Sequence, residues 1–89
     1  MSVPDTEEIL EIAVAGVPRV ARVIAAIPAE HWAEALAAAE RSYLRTARDL
    51  GYGEVTAQNL VRAVMQFLHA EVERAIGEIE AVKEILVEE

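Results

Sequence analysis

Two histidines, His31 and His69, are the side chains best suited to hold a metal or move a proton near neutral pH. His31 follows Glu30 and precedes Glu34 by three, and His69 has Glu73 one helical turn on. Carboxylate-bridged metal centres in helical bundles take a Glu-x-x-His pair from each of two helices. Here Gln66 stands three before His69 and Pro28 three before His31, so neither pair is complete. Both histidines are expected at the surface or at a helix end, with no metal and no cofactor.

Nucleophilic chemistry has as little support. The chain has no cysteine, which excludes disulfides, thiolate metal sites and a cysteine nucleophile. Ser42 and Thr46 stand among arginines and not beside a histidine, and Tyr43 falls on an apolar stripe. HExxH, GxSxG and a Walker-type phosphate loop are all missing from the sequence. A non-catalytic protein is expected.

The stretch from Ala47 to Leu60 offers a different chemistry. Two apolar-striped segments meet at Gly51-Tyr52-Gly53, the outline of a helix-turn-helix. Arg41, Arg45, Arg48 and Arg62 make it the most basic part of the chain. In a DNA reader, Arg48, Gln58, Asn59 and Arg62 would face the duplex, because such side chains can bond base edges in the major groove. Against this, the second segment opens with Glu54, and 16 acidic against 8 basic residues give a net charge of −8. That surplus repels nucleic acid and anionic membranes. An ordinary helical hairpin produces the same pattern. The dimeric DNA-binding regulator is therefore the alternative function, and nucleic acid is not the expected partner. Leu50-Gly51-Tyr52 resembles the loop of small ubiquitin-associated three-helix domains over those three residues alone.

The elements that would position these residues are all helical. Of 89 residues 54% are hydrophobic and only 4% aromatic, so the apolar mass is Ala, Val, Ile and Leu. Ala and Leu favour helix. So much apolar sequence in so short a chain, expected to form a single domain, suggests a second copy or another partner.

Asp5 is placed to cap a first helix, with Glu7 and Glu8 at the positive end of its dipole. Ile9, Ile12, Ala13, Val17, Val20, Ile24 and Ile27 share a helical face, which Leu10, Val14 and Val23 broaden. Gly16-Val17-Pro18 interrupts it, predicting a kink or two short helices over about residues 5–15 and 18–27. A third helix over 28–50 carries the stripe Trp32, Leu36, Ala39, Tyr43, Ala47, Leu50, with Gly51 as its left-handed stop. The charged residues Glu11, Arg19 and Arg22 argue against a membrane span over Ile9–Ile27, and the start lacks a basic signal region. A cytoplasmic location is expected.

The last helix, over 55–88, contains no proline and one glycine, Gly77. Val61, Met65, Leu68, Val72, Ala75, Ile79, Val82 and Leu86 alternate steps of four and three, the seam of a coiled coil. Leu60, Val64 and Phe67 widen its first half only. The expected fold is all-α, a bundle of three to four helices with a long C-terminal helix, and oligomeric. The second half of that helix is expected to form the interaction seam, through Val72, Ala75, Ile79, Val82 and Leu86. The expected partner is a second copy, giving a homodimer, or a partner helix. The expected function is that of a small self-associating protein–protein interaction module.

Overall fold

The computed structural model describes residues 3–87, with side chains through Ile85. It is all-helical, with three α-helices: α1 (Thr6–Ala26), α2 (Trp32–Asp49) and α3 (Glu54–Val87). A single 3-10 turn, Ala29–His31, joins the first two. The chain runs up, down and up. Ile9 shares a cleft with Leu60, and Arg22 shares a groove with Ile79, so α1 and α3 point the same way.

Asp5 caps α1 as its position predicts, its carboxylate accepting from the Glu7 N–H at 3.2 Å. Of the two outcomes expected at Pro18, the split into two helices does not occur, and α1 is one helix through it. Pro18 itself is exposed, while Val17, Ala21 and Ile24 on either side are buried. Burial of that face outweighs a local cost of roughly 3 kcal/mol for an interior proline. The helix ends instead before Pro28, whose ring forces the preceding residue out of the helical region. Ile27 accordingly sits at φ −85°, ψ 162°. The indole N–H of Trp32 donates to the Ile27 carbonyl at 3.0 Å and fastens the turn. The predicted start of the second long helix at residue 28 therefore moves to Trp32, behind the 3-10 turn.

The α2–α3 turn follows the sequence closely. Gly51 has φ +100°. Its N–H donates to the Arg48 carbonyl at 3.0 Å, and the Tyr52 N–H donates to Ala47 at 3.3 Å. These two bonds form a Schellman motif, which answers the last carbonyls of α2. Tyr52 is half-buried and its hydroxyl donates to the Pro4 carbonyl, tying the segment before α1 to this turn. Val55 is 74% exposed, so it forms no staple with Leu60. The Ala57 N–H instead donates to Gly53 at 2.8 Å, closing the first turn of α3.

Leu68 and Val17 are the largest fully buried side chains. Around them Ala21, Ile24, Val61, Val64, Met65 and Val72 form the core, flanked by Trp32, Leu36, Ala39 and Tyr43 from α2. Both α1 and α2 pack on α3, α1 more extensively, whereas α1 and α2 touch each other only slightly. The molecule measures 59 × 23 × 16 Å, with a radius of gyration of 15.6 Å. A compact chain of this length would have about 12 Å. The excess length is α3, whose 34 residues span about 51 Å at 1.5 Å per residue.

Candidate interaction surface

The seam of α3 divides near Ala75. Val61, Met65, Leu68, Val72 and Ala75 are buried, all within one chain. Ile79, Val82 and Ile85 are exposed, Val82 at 55% and Ile85 at 69%. Among the predicted seam residues, Val72 and Ala75 therefore belong to the chain's own core. The core extends a turn further than the narrowing of the apolar face after Leu68 suggests, because Ala25 and Ile24 of α1 are still buried at that height. Ile79 and Val82 remain available. The side chain of Leu86 lies outside the described residues.

A groove of about 390 Å³ runs along the exposed seam, lined by Arg22, Ala75, Glu78, Ile79, Val82 and Lys83. Its floor is apolar and its rim carries both signs of charge. Arg74 pairs with Glu71 at 3.4 Å, while Arg22 joins no ion pair among the described residues. Gly77 shows no close approach: a β-carbon there would meet nothing within 4 Å.

Two further exposed aliphatics lie on α1, Ile12 and Val23, at 61% and 64%. Periodicity counts both as part of a broad apolar face. α1 is apolar so far round that spacing alone does not say which flank is left open. Ile12 lines a cleft of about 280 Å³ where α1 and α2 meet over α3, together with Tyr43, Thr46, Leu50 and Val64. Val23 follows Ile12 by eleven residues, close to three full turns, so it lies on the same line of the helix.

Of the candidate DNA-reading residues, Arg48 and Gln58 meet at one carboxylate, and Gln58 and Arg62 line the same shallow groove. The Arg48 guanidinium donates to the Glu54 carboxylate at 2.9 Å through Nε, with a second bond through Nη2. Gln58 donates to the same carboxylate at 3.1 Å. These hydrogen bonds from Arg48 and Gln58 hold the Glu54 carboxyl below its ordinary range, and the bond to Glu54 raises the Arg48 guanidinium above its own. Arg48 and Gln58 thus brace the turn between α2 and α3. Asn59 and Arg62 are exposed.

His31 sits at the 3-10 turn, 3.5 Å from Glu30 and 3.6 Å from Glu34, all three well exposed. Among the described residues no three His, Asp or Glu side chains converge as a metal would need. His69 is exposed on α3, at a shallow groove shared with Glu40, Arg62 and Gln66. In the α1–α2 cleft the Thr46 hydroxyl donates to the Ser42 carbonyl at 3.0 Å. Burial pushes the Tyr43 phenol above its ordinary value. The cleft is thus an apolar slot with no acid–base pair.

No protein-family model, curated protein or solved structure matches the chain. No helix among the described residues is long and apolar enough to cross a membrane.

Proposed function

We propose that this chain is a small non-catalytic interaction module that self-associates through the end of α3. One observation supports it above the others. The repeat that buries Leu68, Val72 and Ala75 continues in register to Ile79, 37% exposed beside Arg22 near the end of α1, and to Val82, 55% exposed. Extended apolar ridges of this kind mark association surfaces. Closed two-fold dimers are the commonest homo-oligomers, and a dimer is the proposed state. A cytoplasmic setting suits a cysteine-free, acidic chain.

Light scattering on the wild type and on Ile79→Asp tests the proposal. A dimer for the wild type and a monomer for the variant support it. A monomeric wild type at high micromolar concentration sinks it. The DNA-binding alternative has less behind it, since Glu54 opens the would-be recognition helix and occupies Arg48 and Gln58. Salt-dependent retention on heparin would revive that alternative.

A further inference from the structure

Ile79 follows Val72 by seven residues, and Val82 follows Ala75 by seven. The exposed pair therefore points from α3 in the same direction as the buried pair. Val72 is buried in the core that α1 and α2 build on α3, and Pro18 and Arg22 of α1 stand beside Ala75. The surface that fits the continuing seam is thus another α1–α2 pair, and a second copy of this chain supplies one.

That pair has an open side. Ser42 and Thr46 of α2 line the cleft along with Ile12 of α1. Following the same flank toward the α1–α2 turn, Val23 succeeds Ile12 on α1, while Ala38 and Ala35 precede Ser42 by four and seven on α2. This end of the flank is built of small side chains, Ala38 exposed and Ala35 half-buried against the chain's own core, with Arg19 on the same line of α1 four residues before Val23.

We infer that two copies associate antiparallel, the α3 tail of each lying over Val23 and the Ala35–Ala38 flank of the other. The inference rests on the self-association proposed above and names the receiving surface. One two-fold axis beside the α1–α2 turns makes both contacts at once, as a closed dimer requires. The tails then rest on helix pairs as the lower part of each α3 does on its own. Parallel seam-to-seam pairing is disfavoured sterically. Below Ile79 the second α3 would have to enter the space filled by α1 and α2.

The elongated chain has surface to spare for a partner. The chain exposes 6590 Å², whereas a compact monomer of this mass would expose about 5,100 Å². The surplus of about 1,500 Å² exceeds the roughly 800 Å² per partner of a standard interface.

The test is Val23→Glu, a change on an exposed position outside α3. With helicity confirmed by circular dichroism, the expected result is association weaker by about tenfold or more. A wild-type dimer that Val23→Glu leaves intact overturns the antiparallel arrangement and spares self-association. A monomeric wild type removes both. Cross-linking supplies a second measurement, since the chain has no native cysteine. Under mild oxidation a mixture of Val23→Cys and Val82→Cys is expected to give a covalent dimer, and Val82→Cys alone is not. Cross-linking of Val82→Cys alone, or a persistent dimer in which the mixture fails to link, overturns the inference.

Discussion

From Val61 to Ala75 the seam of α3 is covered within the chain, while at Ile79 and Val82 the same seven-residue repeat meets solvent. The lower half carries branched and aliphatic residues on a wide face, with Val64 and Leu60 beside the seam. The upper half keeps the seam but borders it with Glu78 and Lys83. The difference shows what a heptad encodes. It fixes the direction in which apolar side chains leave the helix, and leaves open which chain covers them.

The sharpest way to break the comparison is to remove equal volume from each half. Leu68→Ala, at a fully buried site, is expected to cost about 2–5 kcal/mol in denaturant unfolding. The same truncation of Ile85 should change monomer stability by less than about 0.5 kcal/mol. Similar losses at the two sites in a monomeric sample would erase the distinction between the halves. Next, Ile79→Asp should abolish association while leaving the urea midpoint of the monomer nearly unmoved. A large drop in that midpoint would assign Ile79 to the core.

Gly51→Ala should destabilise by about 1–2 kcal/mol, because an L-residue at positive φ is strained. A β-carbon there would also come within 3.4 Å of Val3 Cγ2. Gly77→Ala, with open space around it, should raise helicity and add up to about 1 kcal/mol. A loss instead would mean that the second half of α3 needs its glycine for an approaching backbone.

The smallest effect is electrostatic. Glu54 has its carboxyl held down chiefly by hydrogen bonds from Arg48 and Gln58. Its contribution is therefore present above the ordinary carboxylate range and lost as pH falls through the lowered folded value. Thermal melts of Glu54→Gln should show a shallower acid-side slope than the wild type. Identical slopes would show that the brace does not hold the turn.

Much of this fold is legible in the residues. Asp5, Gly51 and the stripe from Trp32 to Leu50 all behave as their positions predict, because caps, left-handed turns and helical stripes are local features. Pro18 leaves two outcomes open, a kink or a split, and burial of Val17 and Ala21 holds the helix in one piece. Of the candidate surface, the spacing places Ile79 and Val82 on the same line of α3 as Val72 and Ala75, but their exposure depends on how far α1 covers that line, which is a tertiary fact. Val23 is harder still. On a helix apolar nearly all round, only the position of α2 shows which flank is left open.

The bond from the Tyr52 hydroxyl to the Pro4 carbonyl, with Gly51 seated near Val3, fixes the height at which α1 begins beside α3. Since α1 has a set number of turns, that anchor also decides where it runs out. A slide of one turn would cover or uncover about 5.4 Å of seam. Tyr52 stands some 27 residues before Ile79, about 40 Å away along the helix. The fastening at the foot of the molecule thus works as a gauge, setting how much adhesive length is left at the far end.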